Sequence, residues 1–222
     1  MRLSPTLACA DCLRLASDLD ALTMGGADRW HIDIMDGQYV PNLCLSFDQA
    51  AAIKRYAPQV PMDVHLMVAH PFGWLDALAR LKPEYAAVHL DATPFVLRYL
   101  DSLRKLGIHP GVAINPSQPI ALLEEVLPAA DYVLLMAVEP GLSGQSLLRG
   151  AYDRLAQLTE RRQARHLTFD IVVDGGVSHE NAPLLVRQGA DILVGGAFAC
   201  FGQPDGISAS CRRLKAACAD GA

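Results

Sequence analysis

The sequence has neither the long apolar run of a membrane-spanning protein nor the basic block of a nucleic-acid-binding protein. No apolar stretch approaches the ~20 residues needed to cross a bilayer, and Pro5 interrupts an N-terminal patch that is already too short for a signal-peptide core. Lys and Arg number 19 against 24 Asp and Glu, for a formal net charge of −5. We therefore expect no membrane partner and no nucleic-acid partner.

Paired cysteine motifs are also scarce. Cys9 and Cys12 form a lone CxxC, and the other close pair, Cys211 and Cys218, has the wrong spacing for a second metal knuckle. We therefore interpret the six cysteines as reduced thiols of a cytoplasmic protein.

The chain does contain a regular alternation of short apolar runs and amphipathic helical segments. The predicted strands are Leu3–Ala8, Trp30–Ile34, Met62–Leu66, Tyr85–His89, Gly111–Ile114, Tyr132–Met136, Ile171–Val173 and Ile192–Val194. The predicted helices are Cys12–Met24, Phe47–Tyr56, Phe72–Leu81, Pro94–Leu106, Pro119–Val126, Gln145–Arg162, Glu180–Gln188 and Ile207–Ala219.

This alternation predicts a parallel sheet, and eight strand–helix units in 222 residues predict a single (β/α)8 TIM barrel domain over residues 1–222. A doubly wound open sheet is the alternative. That fold needs a Gly-rich nucleotide turn after the first strand, and the segment Ala8–Asp11 contains no glycine.

Two histidines and two aspartates stand in or at the ends of predicted strands. His31 and Asp33 are two residues apart on one strand, so their side chains point the same way, and His65 and Asp174 belong to other strands. Because the carboxyl ends of barrel strands form the functional face, these residues predict a divalent-metal site that suits zinc, iron(II), manganese or cobalt. The two carboxylates facing one substrate also make an acid/base pair.

Glycine-rich segments follow the sixth, seventh and eighth predicted strands, over Glu139–Gln145, Asp174–Val177 and Val194–Ala197. Glycine lets the backbone approach an anion closely, and helix N-termini favour negative charge. Because the loops after the last strands often bind phosphate in these barrels, the segments predict a phosphate site.

The chain resembles the ribulose-phosphate 3-epimerase family over nearly its whole length. The matching pieces are SPTLACAD, HIDIMDGQYVPN, DVHLMV, AVHLDAT, GVAINP, LLMAVEPGLSGQ, VVDGG and LVGGAF. The patterns HIDIMDGxxVPN and VEPGxxGQ are long and specific to that family. The segment PNLCLS is also similar to the closely related allulose-6-phosphate 3-epimerases.

The resemblance implies a metal-dependent barrel of the ribulose-phosphate-binding type that inverts C3 of a ketose phosphate, and it implies a homo-oligomer. His31, Asp33, His65 and Asp174 then hold one divalent ion, with Asp33 and Asp174 as base and acid on opposite faces of the sugar. The implied substrate-binding residues are Thr6, Met35, His65, Met67, Met136, Gly141, Leu142, Ser143, Gly144, Gly175, Gly176, Gly196 and Ala197.

Four positions depart from the family pattern. Thr6 and Ala197 stand where the family commonly has serine, Ser143 replaces a frequent glycine, and Asp91 replaces a frequent glutamate. None of these departures touches the implied metal set. They bear on which sugar is bound.

The predicted activity is therefore the interconversion of D-ribulose 5-phosphate and D-xylulose 5-phosphate, with D-allulose 6-phosphate as the alternative substrate. A non-catalytic sugar-phosphate-binding barrel is an alternative of another class. Related decarboxylases carry an Asp-x-Lys-x-x-Asp motif on a strand, and the run from Asp33 to Asp36 contains no lysine. The sequence therefore argues against decarboxylation.

Overall fold

The structure, a computed structural model, describes residues 1–219 and contains one sheet of eight parallel strands. The strands are β1 (Arg2–Pro5), β2 (Trp30–Met35), β3 (Met62–Met67), β4 (Tyr85–His89), β5 (His109–Ile114), β6 (Tyr132–Met136), β7 (Asp170–Asp174) and β8 (Ile192–Gly195). Their order in the sheet is β1-β8-β7-β6-β5-β4-β3-β2. A parallel bridge between Thr6 and His31 joins the β1 edge to β2, so the sheet forms a nearly closed barrel. The predicted (β/α)8 fold is confirmed, and the open sheet is wrong.

The α-helices lie on the outside of this barrel. Within residues 1–219 they are α1 (Leu15–Met24), α2 (Phe47–Tyr56), α3 (Leu75–Leu81), α4 (Val96–Lys105), α5 (Ala151–Ala164), α6 (Ala182–Arg187) and α7 (Ile207–Ala219). Local sequence explains where α2 begins. The Ser46 side chain accepts from the Gln49 backbone N–H and the Gln49 side chain accepts from the Ser46 backbone N–H, a reciprocal cap of the first turn.

The helix predicted over Pro119–Val126 is wrong. The chain there forms two 3-10 helices, Ile120–Leu123 and Leu127–Ala129. Pro128 lies within the second of them, and a proline inside an α-helix removes a hydrogen bond and clashes with the preceding turn. The connection between β5 and β6 therefore contains two short 3-10 helices in place of an α-helix.

Several predicted boundaries also shift. The first strand ends at Pro5 rather than Ala8 because the Thr6 side chain caps a 3-10 helix over Leu7–Cys9. α1 begins at Leu15 rather than Cys12, after a turn closed by the Asp11 carboxylate, which accepts from the Leu13 backbone N–H at 3.0 Å. α3 is preceded by a separate 3-10 helix, Pro71–Trp74.

The core has two parts. The larger packs the outer faces of the strands against the helices. The smaller fills the barrel interior, with Ala87, Ala113, Tyr132, Leu134 and Val172 among its buried members. In residues 1–219 no helix is long and apolar enough to cross a membrane.

Candidate active site

Four side chains from three strands meet at one point inside the barrel. They are His31 and Asp33 from β2, His65 from β3 and Asp174 at the end of β7. One nitrogen or oxygen from each residue lies within 4.8 Å of those of the other three. The structure therefore brings together all of the residues that the sequence predicts as metal ligands.

The facing nitrogen and oxygen atoms of this cluster lie 3.1 to 3.6 Å apart. His31 Nε2 lies 3.5 Å from Asp33 Oδ1 and 3.6 Å from Asp174 Oδ2. His65 Nδ1 lies 3.1 Å from Asp33 Oδ1 and 3.5 Å from Asp174 Oδ2. His31 Nε2 is buried and has no hydrogen-bond partner among the described residues, an expensive arrangement for a polar atom. The ligand atoms of two imidazoles and two carboxylates, gathered at one point, fit a divalent cation.

Burial and mutual attraction set the protonation of the cluster. Both histidines are fully buried and Asp33 is nearly so. Burial alone would raise the pKa of Asp33, but the His31 and His65 rings outweigh it and hold that pKa well below the usual range. Burial would likewise lower the pKa of His31, and the adjacent Asp33 and Asp174 carboxylates raise it well above its usual value. Asp33 is therefore an ionised carboxylate.

Each histidine also has a partner on the side that faces away from the cluster. His31 Nδ1 lies 3.3 Å from Asp63 Oδ2, and Tyr132 donates its hydroxyl to the other Asp63 oxygen at 2.5 Å. His65 Nε2 lies 2.8 Å from His89 Nε2. Partners of this kind fix which ring nitrogen faces a metal.

Sequence reasoning did not identify Asp63 or Tyr132. Asp63 is two residues before His65 on β3, so a period of two residues places both side chains on the same face, and that signal was available. Tyr132 lies on β6, which is not adjacent to β3 in the sheet. Its contact with Asp63 exists because the barrel closes.

Thr6 holds the second oxygen of Asp33. Its hydroxyl donates to Asp33 Oδ2 and accepts from the Ala8 backbone N–H at 3.2 Å. The position predicted to contact substrate thus also orients one of the two aspartates.

An open pocket lies beside the cluster. Asp33 and Asp174 reach its floor, whereas His31 and His65 do not line it. The predicted substrate-binding residues that line it are Thr6, Met35, Met67, Met136, Gly141, Leu142, Ser143, Gly144, Gly175, Gly176, Gly196 and Ala197. Cys9 also lines this pocket, a residue that sequence reasoning treated only as a thiol.

The glycine segments form the side of the pocket next to β6, β7 and β8. Gly176 has φ +65°, and a Cβ there would lie 2.2 Å from the Leu147 backbone nitrogen. Only glycine permits both the left-handed conformation and this close approach. The Asn181 side chain holds the turn by donating to the Gly176 carbonyl at 2.8 Å.

Comparison with known proteins gives a consistent result. The family described as the ribulose-phosphate 3 epimerase family matches residues 2–200. The ribulose-phosphate 3-epimerase of Aquifex aeolicus (strain VF5) is 35% identical over 96% of this chain and 95% of its own length. The ribulose-phosphate 3-epimerase 1 of Cupriavidus necator is 36% identical over 98% of this chain and 92% of its own length. A solved 3-hexulose-6-phosphate synthase has a TM-score of 0.68 at 16% identity, over 98% of this chain and 99% of its own, a likeness of fold alone.

Proposed function

Because the chain belongs to the ribulose-phosphate 3-epimerase family, we propose that it interconverts D-ribulose 5-phosphate and D-xylulose 5-phosphate. In this proposal His31, Asp33, His65 and Asp174 hold one divalent ion, and Asp33 and Asp174 move the proton. The observation that carries the proposal is the buried Nε2 of His31, which has no hydrogen-bond partner within residues 1–219 and faces both carboxylates at 3.5 and 3.6 Å.

Epimerisation at C3 begins with the loss of a proton from the carbon next to a ketone. Such a carbon is a weak acid, so the enediolate left behind must be stabilised. A divalent ion held by the four residues would supply Lewis acidity for that negative charge.

Inversion requires two groups on opposite faces of C3, because a single base would return the proton to the face it left. Asp33 comes from β2 and Asp174 from β7. Because the bridge from Thr6 to His31 closes the barrel, β1 and β8 lie between these two strands. Asp33 takes the proton from one face, and Asp174 delivers a proton to the other. The reverse reaction exchanges the two roles.

The remaining pocket residues position the sugar and exclude water. Met35, Met67 and Met136 line the pocket beside the two aspartates, and methionine offers an apolar but polarisable surface. The glycine segments at the other side would bind the phosphate through backbone N–H groups. The sugar would then extend from the phosphate near β7 and β8 to the aspartates.

The substrate is tested by comparing kcat/KM for ribulose 5-phosphate and allulose 6-phosphate on one metal-defined preparation. We expect kcat/KM to be at least ~10-fold higher for ribulose 5-phosphate. This is the lower end of the discrimination that a pocket achieves against one additional carbon unit. A higher value for allulose 6-phosphate would reassign the substrate. Binding of either sugar without turnover would indicate a non-catalytic barrel instead.

A further inference from the structure

The two ring nitrogens of His65 face different partners. Nδ1 lies 3.1 Å from Asp33 and 3.5 Å from Asp174, inside the four-residue cluster. Nε2 points the other way and lies 2.8 Å from Nε2 of His89. Both rings are fully buried, and their centroids are 5.0 Å apart. The second histidine therefore lies directly behind the first.

Two ring nitrogens 2.8 Å apart share one hydrogen, so one of them donates and the other accepts. For Nδ1 of His65 to offer its lone pair to a cation, the hydrogen of that ring must be on Nε2. Nε2 of His89 then accepts it, and the hydrogen of His89 must be on Nδ1.

The surroundings of His89 match this arrangement. The Asn115 amide nitrogen donates to the Tyr39 hydroxyl at 2.7 Å and to Asp91 Oδ2 at 3.2 Å, which fixes the orientation of the amide. Oδ1 of Asn115 is left as an acceptor, and it is buried without any other partner in the described part of the chain. His89 Nδ1 is likewise buried and unpaired there. A hydrogen on Nδ1 of His89 would supply the donor that Asn115 Oδ1 lacks.

The chain of contacts continues to Tyr39 and Asp91. The Tyr39 hydroxyl donates to Asp91 Oδ1 at 2.8 Å, and the Tyr39 ring packs on the His89 ring with centroids 4.7 Å apart. The loop after β2 and the ends of β4 and β5 thereby hold one imidazole in place.

We propose that His89 is a positioning residue that keeps His65 protonated on Nε2, so that Nδ1 is free to bind the divalent ion. This inference rests on the metal site of the proposed function. His89 touches neither ion nor substrate in this role. It acts through His65, as an acceptor whose own hydrogen is held by Asn115.

The direct test is the tautomeric state of both rings in the full-length protein loaded with zinc, a diamagnetic ion. Long-range proton–nitrogen correlation spectra of histidine labelled with 15N distinguish a hydrogen on Nδ1 from one on Nε2. We expect His65 to be protonated on Nε2 and His89 on Nδ1. A hydrogen on His89 Nε2 in the zinc-loaded protein would overturn the proposal.

A second test measures zinc affinity by competition with a chelator. His89→Phe keeps a ring but removes the acceptor, and we expect it to weaken zinc binding by ~10–100-fold, as for other partners of ligating histidines. His89→Gln supplies an amide oxygen to accept from His65, and we expect it to recover most of that loss. His109→Phe is the matched control, since His109 is exposed at the start of β5 and bonds to Asp131.

The outcomes separate this inference from the function it rests on. A wild-type protein that does not bind zinc overturns the metal site and the inference with it. Zinc binding by wild type that is unchanged in a folded His89→Phe variant overturns the inference alone. If His89→Phe fails to fold, the ring tautomers of the wild-type protein decide.

Discussion

Both carboxylate oxygens of Asp33 contact other side chains of the site. One oxygen accepts from the Thr6 hydroxyl, and the other lies 3.1 Å from His65 and 3.5 Å from His31. Each contact restricts the carboxylate to one orientation, which both metal binding and proton transfer require. Thr6 stands where the resemblance implies a serine, and its hydroxyl donates to Asp33 Oδ2.

Replacement of either aspartate by asparagine should remove proton transfer while retaining shape. We expect Asp33→Asn and Asp174→Asn each to lower kcat by ~10²–10⁴-fold, the usual contribution of a general acid or base, with an unchanged circular dichroism spectrum. Zinc content must be measured on the same samples, since both residues also face the metal site.

Asp101→Asn is the matched control, because Asp101 is an exposed partner of Lys105 at i,i+4. It should retain wild-type kcat. Near-normal turnover in either active-site variant would remove that residue from the mechanism.

Cys9 offers a reporter for the position of the phosphate. Burial raises the pKa of its thiol. Cys9 lines the pocket together with Ser143 and Ala197, both of them predicted phosphate-binding residues. We expect Cys9 to react slowly with iodoacetamide at neutral pH and faster as alkaline pH forms the thiolate. Saturating ribulose 5-phosphate should slow this reaction severalfold, as measured by mass spectrometry of the labelled peptides.

Cys12 lies three residues away but is exposed, so its labelling should not respond to the sugar phosphate. Equal labelling of Cys9 with and without saturating ribulose 5-phosphate would show that the phosphate lies elsewhere.

Strands β5 and β6 show how the barrel interior depends on one missing side chain. A Cβ at Gly111 would lie 2.2 Å from the Tyr132 ring. Tyr132 fills the interior at that level and donates to Asp63, which in turn faces His31. Gly111 therefore leaves the space for the Tyr132 ring, whose hydroxyl holds the Asp63 carboxylate beside His31.

Gly111→Ala should destabilise the protein by overpacking this level of the barrel. The expected loss is ~1–3 kcal/mol in the free energy of unfolding, measured by urea denaturation. Gly73→Ala, where an added Cβ meets nothing within 4 Å, should change it by less than ~0.5 kcal/mol. Equal stability of the two variants would contradict the packing argument.

The sequence predicted best those features that repeat along the chain. The alternation of apolar runs and helical segments predicts the strands. The position of the four clustered residues in or at the ends of those strands then predicts that they meet. The segment 145–150 was predicted as helix but precedes α5, which begins at Ala151. The Gln145 side chain instead donates to the carbonyls of Glu139 and Leu142 at 2.6 and 2.9 Å, and such loop contacts have no periodic signature.

Contacts between strands far apart in the chain were the least predictable. The pair His65–His89 required knowing that both rings turn inward at one level of the barrel. The orientation of Asn115 depends on the loop that carries Tyr39, because the Tyr39 hydroxyl accepts from the Asn115 amide nitrogen. Barrel closure creates these contacts, and no local run of residues specifies them.

Closure of the barrel would also let an acidic protein bind the anionic sugar of the proposed function. The formal net charge is −5, so attraction over long distances does not favour a phosphate. β1 pairs with β8 along four residues and bridges to β2 at Thr6, which brings the glycine segments and the aspartates to one pocket. Binding in the proposed function would then depend on local N–H groups and on the four-residue cluster, which different strands supply.

Solvent deuterium at C3 gives the most direct measurement of the proposed reaction. Ribulose 5-phosphate is converted in D2O by chelator-stripped protein and by the same protein after zinc is restored, and the product is examined by NMR. We predict xylulose 5-phosphate with deuterium at C3, formed only by the zinc-restored protein. Product that retains hydrogen at C3, or full turnover by the stripped protein, would contradict the account.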